Sequence, residues 1–145
     1  MAQLSLKTGL AKVAAEERSL RFEDCPFERI RVRTADQSRL VAVASRSHMT
    51  AETEAFLARY AIAERRDSGS SLKFCMIARG EADIYPRLAP TMEWDIAAGH
   101  AVLAAAGGSV TTPLGQPFRY GKAEGGFRNG DFVAWGAATA LPPRT

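Results

Sequence analysis

At 145 residues with 46% in the hydrophobic set, the chain is sized for one compact domain burying roughly 70% of its unfolded surface, and two domains would be a squeeze. A charged content of 24% excludes a disordered or collagen-like chain. The net charge of +3 is too small and too evenly spread for the pI of 9.1 to mark a nucleic-acid binder. No apolar run approaches the ~20 residues of a membrane span, and Met1 to Leu20 lacks the apolar core and cleavage site of a signal peptide. A cytoplasmic location is therefore expected. Cys25 and Cys75 lack a CxxC spacing, and His48 and His100 are isolated, so neither a disulfide framework, a zinc site nor a His-based metal centre is expected.

Residues 1–27 carry only a weak helical or strand pattern and form a poorly defined amino-terminal segment. Glu28 to Thr34 (ERIRVRT) alternates polar residues with Ile30 and Val32, which predicts an edge strand with Arg29, Arg31 and Arg33 on a solvated face. Leu40 to Ala44 (LVAVA) is unbroken and apolar, as expected for a parallel strand buried on both faces. After Ser45, Arg46, Ser47 and His48, Thr50 is a plausible N-cap for a helix carrying Thr53, Phe56, Leu57, Tyr60 and Ala61, with Glu52 and Glu54 in its first turn.

The same strand, loop and helix grammar returns. Gly69, Ser70 and Ser71 precede a helix from Leu72 that stops near Gly80, and Ala82 to Tyr85 reads as a short strand closed by Pro86. Pro90 and Thr91 open a helix from Met92 to about Ala106, stopped by Gly107 and Gly108. Its small residues, among them Ala97, Ala98, Gly99 and Ala101, suggest a helix at the centre of the fold. Ser109 to Thr112 and Phe132 to Trp135 read as two more strands, separated by a Gly- and Pro-punctuated stretch, and residues 137–145 form a tail. The pattern is α/β, with helices layered on a mainly parallel or mixed sheet.

In such sheets the functional side chains gather where strands end. Three clusters qualify: Ser45 to His48; Gly69, Ser70, Ser71 and Lys73; and Tyr85, Arg87, Glu93, Trp94 and Asp95. Hydroxyls, cations and a carboxylate beside a helix start suit a phosphate held next to a metal ion. Cys75 is expected in the core, and His100 is expected to pack or hydrogen-bond on its helix. Glu93 and Asp83 read equally as carboxylates supporting the site or as solvated ones.

Trp94, Asp95, Ala97, Ala98 and Gly99 followed by Ala106, Gly107 and Gly108 resemble the WDxAAG and AGG signature of the inositol monophosphatase superfamily of metal-dependent phosphatases. GSSLK at 69–73, ADIYP at 82–86, Arg87 and TMEWD at 91–95 are similar to its 3'(2'),5'-bisphosphate nucleotidases of CysQ type, over Glu28 to Gly136. The resemblance implies the carboxyl-terminal lobe of that fold at 28–136. It also implies a magnesium-dependent phosphomonoesterase converting adenosine 3',5'-bisphosphate to AMP and phosphate, linked to sulfur assimilation. By the same resemblance Asp95 is a catalytic Mg2+ ligand, Ser70, Lys73 and Arg87 contact substrate phosphate, and His48 lies near the nucleotide.

The superfamily also uses an upstream glutamate pair and a DPxDGT segment. This sequence contains no Asp-Pro and no Asp-Gly-Thr, and Glu16 with Glu17 does not resemble the glutamate motif. Two-metal hydrolysis needs ions on both sides of the transferring phosphoryl group and an activated water, so this chain alone is expected to be inactive. A missing amino-terminal half or self-association is the expected partner, besides the small nucleotide bisphosphate. Two alternatives stand beside this reading: a non-catalytic phosphate- or nucleotide-binding module, and a relative acting on inositol phosphates or sugar bisphosphates.

Overall fold

The computed structural model describes residues 28–45 and 49–137. In chain order these form β1 (Leu40–Ala44), α1 (Ala51–Leu57), β2 (Ile62–Asp67), α2 (Leu72–Ala78), β3 (Ile84–Arg87), β4 (Thr91–Met92), α3 (Glu93–Ala105), β5 (Ser109–Thr111), a 3-10 turn at Ala123–Gly125, β6 (Arg128–Asn129) and β7 (Phe132–Trp135). Five strands make one sheet in the order β2-β1-β3-β7-β5, and β4 with β6 makes a separate two-stranded ribbon. β1 runs parallel to both β2 and β3, whereas β7 is antiparallel to β3 and β5. The architecture is the expected α/β mixed sheet.

β1 shows why the sheet forms where it does. All five of its residues are buried, and successive side chains alternate between two cores. Val41 and Val43 join Phe74, Ile77, Ile96, Leu103 and Phe132 under α2 and α3, while Leu40 and Ala42 join Phe56, Leu57 and Trp135 under α1. Helices therefore cover both faces, and only an apolar strand can sit between them. Among the described residues, no helix is long and apolar enough to cross a membrane.

α1 begins as expected: the Thr50 hydroxyl accepts the Thr53 N–H at 3.2 Å. It ends earlier than its spacing suggests, at Leu57. Tyr60 still packs against the same core, its ring 5.4 Å from Phe56 and 5.7 Å from Trp135. β2 is an element that the sequence pattern hides. Its residues IAERRD show neither strict alternation nor an apolar run, because β2 is the solvated edge of the sheet and carries charges there. β3 is shifted against the expected 82–85 and includes Pro86.

The expected edge strand at Glu28 to Thr34 does not form. The segment crosses the carboxyl ends of the two helices on one face: Val32 N–H donates to Ala106 O at 3.1 Å, and Arg31 and Arg33 lie against Gly80. Its alternation is satisfied by packing Val32 into the α2–α3 core rather than by a ladder. Arg33, expected in water, instead forms a two-pronged ion pair with Asp83, Nε to Oδ1 at 2.8 Å and Nη2 to Oδ2 at 2.6 Å. Asp83 is buried and also accepts the Val41 N–H at 2.7 Å, so it clamps the start of β3 to β1.

α3 begins at Glu93, after the short β4. It is not central. Ile96, Gly99 and Leu103 face the core, but Ala97, Ala98, Ala101, Val102, Ala104 and Ala105 are exposed. The small residues serve one close approach only, where a Cβ on Gly99 would lie 2.6 Å from Phe74 Cδ2. Past the helix, Gly108 runs against the sheet, and a Cβ there would lie 2.6 Å from Trp135 O.

Candidate active site

β1, β2 and β3 are parallel, so their carboxyl ends open on one side of the sheet, and a pocket of about 490 Å³ lies there. Ser45 after β1, Gly69 to Lys73 after β2, Arg87 at the end of β3, and Thr91, Trp94 and Asp95 around the start of α3 line it. Four of the five residues singled out from the sequence, Ser70, Lys73, Arg87 and Asp95, thus share one cavity. The fifth, His48, lies outside the described residues.

Lys73 is the most informative of them. A lysine in the first turn of a helix would ordinarily be solvated, yet this one is 3% exposed. Its Nζ donates to Ser68 O at 3.0 Å and stands 5.0 Å from the centre of the Tyr85 ring. Burial, reinforced by the positive charge of Arg87, holds its pKa below the ordinary 10.5. Arg87 reaches the same pocket from β3, and its buried Nε has no hydrogen-bond partner among the described residues. Two cations held out of water, one with an unsatisfied donor, form a site that is costly until an anion fills it. Tyr85 forms the apolar wall between them, and burial pushes its phenol up to about 12, so it stays protonated.

Ser70 stands beside the helix rather than capping it. The N-cap of α2 is Ser71, whose side chain makes no cap hydrogen bond, while Ser70 has a φ of 47°, a left-handed conformation uncommon for serine. The strained residue faces the cavity. Asp95, in the first turn of α3, is exposed at the mouth, and its Oδ2 accepts the Met92 N–H at 2.8 Å. That bond fixes the carboxylate as a helix-start acceptor would be fixed.

The α3 start is braced by residues the sequence leaves unremarked. Glu93 accepts the N–H groups of Gly121 and Lys122 at 3.1 and 3.0 Å and the Lys122 ammonium at 3.2 Å. Lys122 also bonds Asn129 Oδ1 and Arg119 O, and Asn129 Nδ2 reaches Thr91 Oγ1 at 3.2 Å. Burial alone would raise the Glu93 pKa, but these donors outweigh it and hold the carboxyl below the ordinary 4.5. Glu93 therefore supports the site, whereas Asp83, at the other end of β3, is purely structural. His100 bonds Tyr120 through Nδ1 at 2.8 Å, as its helix position suggested, and Cys75 is half-buried rather than in the core.

The residues do not make a complete metal centre. Among the described residues, no group of three or more His, Cys, Asp or Glu side chains could hold a metal ion, and Asp95 is the one carboxylate lining the pocket. Mg2+ prefers several oxygen ligands, of which this chain offers one charged member here. What the pocket can do by itself is bind an anion.

Known proteins carry the same pattern. A protein of Rhizobium leguminosarum bv. phaseoli, described as an uncharacterized protein in the pss 5' region, is 55% identical over 85 residues, covering 56% of this chain and 90% of that protein. The 3'(2'),5'-bisphosphate nucleotidase CysQ of Escherichia coli (strain K12) is 44% identical over 107 residues, which are 74% of this chain and 43% of that enzyme. The crystal structure of CysQ from Bacteroides thetaiotaomicron, a bacterial member of the inositol monophosphatase family, superposes with a TM-score of 0.60 at 43% identity, over 72% of this chain and 39% of that one. The chain thus spans less than half the length of the nucleotidases it matches. The pattern of the Inositol monophosphatase family matches residues 8–141, nearly the whole sequence, and places this chain in that family.

Proposed function

We propose that residues 28–136 are the carboxyl-terminal lobe of a 3'(2'),5'-bisphosphate nucleotidase and that the pocket holds a phosphate of adenosine 3',5'-bisphosphate. The observation that carries this reading is the buried pair Lys73 and Arg87, the latter with an unpartnered Nε, converging on one cavity at the strand ends. Identity of 43–44% to CysQ enzymes favours the nucleotidase branch over inositol or sugar phosphatases. In this reading Ser70 orients the phosphate beside the two cations, and Asp95 supplies one oxygen ligand toward the magnesium ion that the resemblance implies. The remaining carboxylates belong to an amino-terminal half, so the chain alone binds without turnover.

The outer face of α3 fits such a partner. From Ile96 onward the helix carries no charged residue, and a helix that is apolar on its exposed side is built to be covered. The compartment in this reading is the cytoplasm, where the released AMP and phosphate rejoin sulfur metabolism.

Titration calorimetry with adenosine 3',5'-bisphosphate tests the reading. Affinity in the high micromolar range or weaker is expected, and Arg87→Ala should cost about 1–3 kcal/mol, the worth of a charge-assisted bond. Equal affinity in the two proteins would remove Arg87 from the site.

A further inference from the structure

The mouth of the pocket carries two large exposed aromatics that the phosphate chemistry does not use. Trp94, on the first turn of α3, lines the cavity and is 65% exposed; Phe127, just before β6, is 42% exposed. Their ring centroids lie 6.2 Å apart at an interplanar angle of 55°, so neither ring covers the face of the other. Phe127 has a φ of 59°, a left-handed conformation that is a genuine outlier for a bulky residue and persists only where surrounding structure enforces it. That structure is visible: Phe127 O accepts the Glu93 N–H at 3.0 Å, β6 pairs with β4, and Glu93 pins the preceding loop through Gly121 and Lys122.

We propose that Trp94, braced by Phe127, is a stacking platform for the nucleobase of the ligand whose phosphate lies on Lys73 and Arg87. This inference rests on the phosphate-binding reading above and adds a specificity element to it. Three features point to a base. The rings are at the rim rather than the floor, where the part of a nucleotide remote from its anchored phosphate would lie. They are flat and exposed, as stacking requires, and they are mounted on a pinned turn, which lowers the entropy lost on binding. An aliphatic polyol phosphate would gain little from such a surface. Every nucleobase has a π-face, so the platform selects nucleotides as a class and does not read their sequence of hydrogen-bonding groups.

Tryptophan emission makes the test direct, because the second tryptophan, Trp135, is 0% exposed and Trp94 alone meets solvent. The full chain is titrated with adenosine 3',5'-bisphosphate and, separately, with 1-O-methyl ribose 3,5-bisphosphate, which keeps both phosphates and lacks the base. The expected result is a preference of about 5- to 100-fold for the nucleotide, with emission responding to the nucleotide only. Trp94→Leu should collapse the preference toward unity and Trp94→Phe should retain most of it. Circular dichroism checks the fold of each variant. Equal affinity of the unaltered chain for both ligands, or a preference that survives Trp94→Leu, overturns the platform while leaving the phosphate site standing. Failure of both ligands to bind overturns the phosphate reading and the platform together.

Discussion

Replacing Gly99 by alanine isolates the contact that sets the spacing between α2 and α3, and hence between Lys73 and Asp95. The new Cβ would lie 2.6 Å from Phe74 Cδ2 and 2.9 Å from Cγ, against an optimum near 3.5–4.0 Å, so the ring or the helix must move by about 1 Å. The ring has nowhere to go. It is buried, 5.4 Å from Tyr85 and 5.8 Å from Phe132, both themselves buried. Overpacking of this kind costs about 1–3 kcal/mol, and the better helix propensity of alanine returns about 1 kcal/mol. The net expectation is a loss of about 1–2 kcal/mol, or about 3–10 °C in Tm for a domain of this size. Urea and thermal denaturation of the variant measure it. Adding Phe74→Leu should make the pair less damaging than the sum of the two single changes, since the shorter side chain vacates the clash. A Gly99→Ala protein as stable as the parent, or strict additivity with Phe74→Leu, would refute the packing argument for this glycine.

Other outcomes follow from the same contacts. Asp83→Asn removes the charge paired with Arg33 and weakens the acceptor for the Val41 N–H, and should cost about 2–4 kcal/mol in denaturant titration, with the Arg33 end discounted because it is partly solvated. Lys73→Met should stabilise the ligand-free chain while abolishing anion binding. Lys73 has its pKa lowered by burial, so the unfolded chain binds its proton more tightly; the cost of burying the charge is fully present at neutral pH and fades between the folded pKa and 10.5. Pyrophosphate affinity should fall across that same alkaline interval, as the ammonium is lost, which calorimetry at stepped pH can follow. Glu93 has its pKa lowered, so its hold on the 119–129 loop is fully present above 4.5 and is lost as pH falls through the folded value. Amide exchange at Gly121 and Lys122 should accelerate in that acidic window.

The parts of the fold that could be read from the sequence are those whose burial leaves a pattern. β1 is legible because both its faces are covered, and the α3 signature is legible because Gly99 and Gly108 are places where a side chain cannot fit. β2 is not, because an edge strand dressed with Glu64, Arg65 and Arg66 has the composition of a loop. Glu28 to Thr34 misleads in the opposite direction, since one inward side chain in two also serves a segment lying across helix ends. The residues of the pocket could be named from motifs, but the burial of Lys73 and the orphaned Arg87 Nε depend on neighbours far away in the chain. The clamp of Arg33 on Asp83, fifty residues apart, and the brace of Glu93 on the 119–129 loop leave no local trace at all.

The central claim, a phosphate-binding lobe that lacks half of its catalytic set, is tested most directly by phosphate release from adenosine 3',5'-bisphosphate in magnesium buffer. The chain is assayed alone and after mixing with an amino-terminal half from the family that carries the glutamate pair and DPxDGT. The account predicts no release by the chain alone, release on mixing, and loss of that release with Asp95→Asn. Robust magnesium-dependent turnover by the unmixed chain would contradict it.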